Sequence, residues 1–416
     1  MSRGPFVTPK LALVMVGLPA RGKTYTAQKL SRYLAWLGHR TRIFNLGEYR
    51  RAKLGPSAPN EFFNPDNPEG RRVRLELAMA AIDDVCAWFG KEGDVAILDA
   101  TNSSRERRQF VQARFDSEGI QVLFVEVLCD DSEMIEANIR QTKLASPDYA
   151  GIDADEAVRD FRARIAHYER VYEAIGEDEA SYIKLVDVGR QVVVNRVDSH
   201  LGGRLVSFLM KLHINPRPIL LTRHGESEFN IRALIGGDPP LSALGRGYGR
   251  ALGDYLREEF DGEDSPEIWT SALERTGETA SFFSDDTVVL RQLDEIDAGI
   301  CDGLSYEEIA ARMPLEFGAR ARDKLRYRYP RGESYVDVIN RLEPVIVELE
   351  RQRRPVVVVA HQAVIRALYA YFRELPREAC PHQSIPLHTV IKLTPGPYGC
   401  AEERIDLIEQ ARNRAN

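Results

Sequence analysis

Eight residues near the start of the chain constrain its fold more than any others. Gly17-Leu18-Pro19-Ala20-Arg21-Gly22-Lys23-Thr24 follows a continuous apolar run, Leu11 to Val16. It precedes a segment of helical spacing, Thr24 to Leu37, in which Leu30, Leu34 and Leu37 share a face. An apolar run without alternation marks a strand buried on both faces, as in a parallel sheet. Glycines let the loop bend until its backbone N–H groups converge on an anion, and the helix N-terminus adds favourable charge. Gly17, Gly22, Lys23 and Thr24 thus form a phosphate cradle. Lys23 is placed to neutralise the β- and γ-phosphates of ATP, and the Thr24 hydroxyl to ligate Mg²⁺.

The surrounding pattern extends this to a whole domain. Strands are expected at Val95 to Leu98, Val122 to Leu128, Ile183 to Val188 and Val192 to Val194, with helices between them, as from Val73 to Phe89. Such a βαβ series implies right-handed crossovers and a mainly parallel sheet. A phosphate cradle needs an acid at the end of a neighbouring strand. Asp99 supplies one, either for Mg²⁺ or for the acceptor's proton, unless it caps the helix expected just after Asn102. Arg50, Arg51, Arg74, Arg105, Arg107 and Arg108 are candidates to pair with a phosphorylated acceptor; spacing does not say which point inward.

At 416 residues, 44% of them hydrophobic, the chain exceeds one ordinary core. A helix over His200 to Leu212 is followed by two prolines within three residues, Pro216 and Pro218, which favour extended chain. The boundary is placed there, giving domains 1–214 and 215–416. The second half has its own series: strands Ile219 to Thr222, Ile268 to Thr270 and Val356 to Val359, and helices Ala243 to Phe260, Thr276 to Phe283, Tyr335 to Arg351 and Gln362 to Phe372. Arg223 and His224 follow the first of these strands, Arg275 the second and His361 the third; Glu295, in Leu293-Asp294-Glu295-Ile296-Asp297, is likewise expected at or soon after a strand's C-terminal end. Ligands of open parallel sheets bind at that strand edge. Together the five suit phosphoryl transfer through histidine. A neutral imidazole attacks phosphorus, Arg223, Arg275 and His361 stabilise the equatorial oxygens, and Glu295 protonates the leaving alkoxide. This half needs no metal.

A net charge of −7 argues against a nucleic-acid partner, and clusters such as Arg71-Arg72 and Arg326 to Arg331 read as solvated faces. The five cysteines show no CxxC spacing, and there is no signal peptide or membrane-length apolar run. A reduced, cytoplasmic, soluble protein is expected.

With both constellations in view, the chain resembles the 6-phosphofructo-2-kinase/fructose-2,6-bisphosphatase family from about Leu11 to Cys400. The stretches that carry the resemblance include GLPARGKTY, FFNPDNPE, LDATNSSRERR, KLASPDY, VNRV, TRHGESEFNIR, LDEIDAG, RYRYPRGESY, AHQAVIRALYAYF and LHTVIKLTP. It implies a P-loop kinase half joined to a phosphoglycerate-mutase-like half. By resemblance, ATP contacts fall on Asn138, Gln141, Lys143, Asn195 and Val197. Fructose 6-phosphate contacts fall on Arg50, Arg74, Thr101, Arg107, Lys143, Arg164 and Tyr168, and Cys129 matches a cysteine near the kinase centre. Fructose 2,6-bisphosphate contacts fall on Arg223, Asn230, Gly236, Tyr306, Arg320, Lys324, Tyr335, Gln362 and Arg366. His224 matches the phosphohistidine and Glu295 the proton donor. The resemblance also implies a homodimer. Little chain precedes Leu11 or follows Cys400, so the phosphorylatable ends of the animal members are not expected. Two alternatives stand at this point: a phosphatase whose first half only senses nucleotide, and the same chemistry on another sugar phosphate.

Overall fold

The computed structural model describes residues 10–56, 58–140, 147–149, 151–187, 189–212, 217–260, 265–396 and 399–415. The chain divides into two compact units, Met1–Ile214 and Asn215–Asn416. Residues 213–216, where the sequence places the boundary, lie outside the described residues.

In the first unit the strands are β1 (Leu11–Val16), β2 (Thr41–Asn45), β3 (Val95–Asp99), β4 (Gln121–Leu128), β5 (Tyr182–Val186) and β6 (Gln191–Asn195), in the order β2-β3-β1-β4-β5-β6. All six residues of β1 are buried, as a strand between parallel neighbours requires. From β1 the chain passes to β2 and then β3 on one side of β1, and from β3 it crosses to β4 on the other, so a crevice opens beyond the end of β1, where the phosphate cradle lies. Two details depart from the sequence reading. The edge strand β2 was not anticipated: in Thr41-Arg42-Ile43-Phe44-Asn45 only Phe44 is buried, so its apolar signal is weak. And β6 runs antiparallel to β5, because the few residues joining them can form a hairpin but not a crossover, which needs a dozen or more.

The second unit holds β7 (Ile219–Arg223), β8 (Glu267–Thr270), β9 (Val288–Val289), β10 (Val356–Ala360), β11 (Thr389–Gly396) and β12 (Gly399–Asp406), in the order β12-β11-β7-β10-β8-β9. The strands from β7 to β9 are mutually parallel; β11 and β12 form an antiparallel extension. That extension was missed by sequence. The helix expected over Tyr335 to Arg351 is two, Tyr335–Arg341 and Glu343–Arg351, broken at Leu342 just ahead of Pro344. The helix Gln362–Phe372, which follows β10 in sequence, buries Ala363, Val364, Ile365, Ala367 and Leu368 and packs against β7.

Among the described residues no helix is long and apolar enough to cross a membrane, and none of the five cysteines is in a disulfide.

Candidate active sites

The first unit's site grows from the end of β1. Gly17 sits at φ +134°, and a Cβ there would lie 2.4 Å from Val127 O, so only glycine fits. Its N–H donates to Thr101 O at 3.0 Å. Ala20 (φ 61°) and Gly22 (φ 92°) complete the left-handed bends that turn the loop into the helix Lys23–Trp36. The buried Lys23 ammonium rests on the loop's own carbonyl, Leu18 O, at 2.6 Å. Asp99, also buried, ends β3 beside β1 and accepts from Asn45 Nδ2 at 2.6 Å. It does not cap a helix: Ser104 caps Arg105–Asp116, accepting from Arg107 N. Asn138 reaches the cradle, donating to Ala20 O at 3.1 Å.

The arginines sort into two groups. Arg50 is buried against the Asp148 carboxylate, with Arg51 and Arg164 Nη1 atoms 3.8 and 3.9 Å from the same oxygen. The Arg164 guanidinium lies 3.6 Å above the Phe63 ring, and Tyr168 packs 6.2 Å from that ring. Arg74 stacks on the adjacent Phe62 and donates to its carbonyl; burial lowers its pKa. Phe62 and Phe63 therefore form an aromatic floor for four of the expected sugar-phosphate residues, a role that sequence reasoning did not assign. Two adjacent aromatics in a polar stretch were the available signal. Arg107 has no ion-pair partner among the described residues, and burial pushes it down to about 10, still cationic. Arg108 and Arg105 are engaged elsewhere. Arg108 is fully buried in a fork with Glu179 and carbonyls of Asn102, Ser103 and Glu173, and Arg105 pairs with Asp178 at the surface.

Three other expectations fare differently. Gln141 and Lys143 lie outside the described residues. Asn195 ends the outer strand β6, its amide committed to Glu177 O and Ala180 O, and Val197 packs against the helix His200–Leu209 at Gly202. Cys129 is buried beside Met134, and burial raises its thiol pKa.

In the second unit, register assembles the site. Arg223 pairs with Ala360, and Thr222 and Thr270 both flank Val359, so Ser271 emerges level with Arg223 and Ala360, and His224 and His361 emerge side by side one residue further on. The buried His224 ring has Nδ1 2.7 Å from Gly225 O. A carbonyl only accepts, so Nδ1 carries the proton and Nε2 is bare. Arg275 Nε donates to that Nε2 at 3.1 Å and is itself fixed on Gly237 O at 2.7 Å. His361 stands 5.1 Å away, ring to ring. Both histidines are held well below their ordinary pKa, first by burial and then by Arg275, with Arg223 adding to each. Burial also brings Arg223 down to about 10, and its Nε has no hydrogen-bond partner among the described residues. Glu295 Oε1 accepts from Ile296 N and from Ala363 N at the start of the helix Gln362–Phe372.

Beyond these groups lies a cationic cluster. Arg320 donates to Tyr329 and Tyr306 hydroxyls at 2.8 Å, Arg366 to Tyr335, and Lys324 to Pro381 O. Burial, then Arg366 and Arg320, lower Lys324 to about 8. Gly236 closes tightly on Asp302 (φ 72°). The Asn230 side-chain oxygen caps its own short helix through Ser227. Gln362 opens the helix after His361.

Sequence reasoning missed three supports. His388, at the start of antiparallel β11, reaches the site edge and accepts from Glu226 N. Arg341 grips Gln292 O, Asp294 O and Glu295 O, holding the Glu295 loop. Ser271 contacts His361.

These two sheet edges define a chain that joins a phosphate-loop kinase domain to a histidine phosphatase domain. The family model for 6-phosphofructo-2-kinase matches residues 4–216, and that for the histidine phosphatase superfamily, branch 1, matches residues 219–407. The chain is 51% identical over 412 residues to 6-phosphofructo-2-kinase/fructose-2,6-bisphosphatase of Arabidopsis thaliana, covering 98% of this chain and 55% of that relative. It is 49% identical over 405 residues to 6-phosphofructo-2-kinase/fructose-2,6-bisphosphatase 4 of Rattus norvegicus, covering 96% and 86%. With form 1 of the same animal the identity is 48% over 413 residues, covering 98% and 87%. The chain belongs to the bifunctional 6-phosphofructo-2-kinase/fructose-2,6-bisphosphatase family.

Proposed function

We propose that this chain makes fructose 2,6-bisphosphate in its first unit and hydrolyses it in its second. The observation that carries the proposal is the proton arrangement at His224: Nδ1–H is tied to Gly225 O, so the bare Nε2 faces Arg275. A nitrogen so arranged is a nucleophile, not a structural donor.

In the synthetic direction the C2 hydroxyl of fructose 6-phosphate takes the γ-phosphoryl group of ATP. Lys23 exchanges Leu18 O for the phosphate oxygens, and Asp99 is positioned to receive the hydroxyl proton or to hold the metal. Among the described residues no cluster of three or more His, Cys, Asp or Glu could hold a metal by itself. A hydroxyl and one carboxylate, Thr24 and Asp99, nevertheless fit a cation whose remaining ligands are water and nucleotide oxygens. Mg²⁺ bound there with ATP would spread the negative charge of the transferring group. Arg50, Arg74, Arg164 and Tyr168, over Phe62 and Phe63, are assigned to the sugar phosphate, with Thr101 and Arg107 nearer the strand ends.

In the hydrolytic direction His224 Nε2 attacks the C2 phosphorus. The N–P bond forms as the P–O bond to C2 breaks, and Glu295 delivers the proton to the departing oxygen. Arg223, Arg275 and His361 carry the charge on the equatorial oxygens. Water then attacks the phosphohistidine and releases phosphate. Arg320, Lys324 and Arg366 are assigned to the second phosphate of the bisphosphate. Family likeness supports a homodimer, which size-exclusion chromatography tests; the lack of disulfides among the described residues supports a reducing, cytoplasmic setting.

The experiment supplies γ-labelled ATP, Mg²⁺ and fructose 6-phosphate and follows label into an acid-labile bisphosphate. The label should accumulate when His224→Ala blocks its consumption. No labelled bisphosphate in that variant would overturn the synthetic assignment.

A further inference from the structure

His361 is held by one ring nitrogen and empty at the other. Nε2 lies 2.8 Å from Ser271 Oγ, whereas Nδ1 is buried without a hydrogen-bond partner among the described residues. Ser271 is itself buried, and its oxygen has two more neighbours, Leu273 N at 3.1 Å and Thr276 Oγ1 at 2.9 Å. Thr276 Oγ1 in turn lies 2.8 Å from Leu273 O.

Elimination assigns the protons. The Thr276 hydroxyl has Leu273 O at 2.8 Å as its nearest acceptor, with Ser271 O at 3.2 Å beyond it, and Leu273 N–H donates to Ser271. Ser271 can then donate to Thr276 or to His361 Nε2. Donation to His361 would put a proton on Nδ1, leaving a buried N–H with no acceptor among the described residues. Donation to Thr276 satisfies every donor in the cluster. Orphaned buried N–H groups are the rarer and costlier defect, so the second arrangement holds.

We propose that Ser271, backed by Thr276, is a positioning residue of the phosphatase: it fixes the His361 proton on Nε2 and so makes Nδ1 the nitrogen that takes up a proton when a phosphoryl group binds. The inference rests on the histidine phosphatase reading. The proton comes from the monoprotonated phosphate ester, whose second pKa is about 6. It moves to Nδ1 and is donated back as a hydrogen bond to a non-bridging oxygen; no other bond changes. The charged and titratable groups facing His361 are Arg275, His224, Arg223 and Arg341. They oppose an imidazolium in the empty site, and a phosphoryl dianion reverses that balance.

The test uses the full chain. Ser271→Ala should lower phosphatase kcat about tenfold, the size of one hydrogen bond, with KM changed less than about twofold. The pH profile of kcat should move by about half a unit or more. Nitrogen-15 NMR of the imidazoles reads the tautomer without turnover: His361 should be a single Nε2–H species in the parent chain and a mixture in Ser271→Ala. An Nδ1–H tautomer in the parent, or an unchanged kcat and pH profile in the variant, overturns the proposal. So does a lower kcat with tautomer and profile unchanged, which would leave Ser271 a folding role alone. A parent chain that forms no phosphohistidine would remove the reading beneath the proposal, and the NMR result separates that failure from this one.

Discussion

The two catalytic sites differ in how their charged groups are partnered. In the phosphatase unit, the groups we assign to the reaction are fixed by the protein itself: His224 Nε2 is bare and faced by Arg275, and Glu295 is fixed by two backbone N–H groups. In the kinase unit, three of the expected cations rest on partners from their own domain. Lys23 sits on Leu18 O, Arg50 on Asp148 and Arg74 on Phe62 O. A preorganised site spends no binding energy on assembly, whereas a self-paired one must exchange its partners for substrate. Hydrolysis should therefore depend on rigid support, and synthesis on substrate binding.

The largest effects should separate the two halves. His224→Ala is expected to lower the phosphatase rate about 10⁴-fold or more while leaving kinase kcat unchanged. Lys23→Met should lower kinase turnover about 10³-fold and spare the phosphatase. Parallel assays of both activities check this, and loss of both activities in either variant would break the comparison. Next in size is support of the Glu295 loop. Arg341→Ala removes its grip on three carbonyls and should cost about 10- to 100-fold in phosphatase kcat, a displacement effect. A pure KM change there would show that the loop is organised by substrate after all.

A smaller effect should appear at Lys324. Lys324→Met should raise KM for the bisphosphate about tenfold, as loss of one charged contact to phosphate would. Because its pKa is lowered to about 8, Lys324 is cationic below that pH and neutral above it. KM of the parent chain should therefore rise as pH passes through 8, and that part of the pH dependence should vanish in the variant. The smallest effect concerns stability. His224 and His361 are depressed in the fold, so the unfolded chain binds more protons. Their contribution is fully present above the unfolded value of about 6.5 and is lost as pH falls toward the folded values. Thermal melts should show the phosphatase unit weakening below about pH 6.5, and His361→Gln should flatten that slope.

The contrast also explains what could be read from sequence. Gly17 to Thr24, Arg223-His224 and His361 were legible because each follows a strongly apolar strand, and parallel strands put such residues at one edge. His388 was not, because it precedes its strand; only the antiparallel direction of β11 brings it to that edge. Arg341 acts through backbone carbonyls far along the chain, which no local pattern encodes. Arg50, Arg107 and Arg108 look alike in sequence, yet only burial against Asp148, burial without a partner, and burial against Glu179 distinguish them. Val192 to Val194 was recognised as a strand, but its direction follows from the short Asp187 to Arg190 turn rather than from its own residues.

The measurement that tests the account most directly follows one phosphoryl group through both sites. The full chain is incubated with γ-labelled ATP, Mg²⁺ and fructose 6-phosphate, and acid-labile, base-stable label on the protein is counted. The account predicts labelled His224 only when nucleotide and sugar phosphate are both present, and none in either Lys23→Met or His224→Ala. Label on the protein without fructose 6-phosphate, or equal label in Lys23→Met, would contradict it.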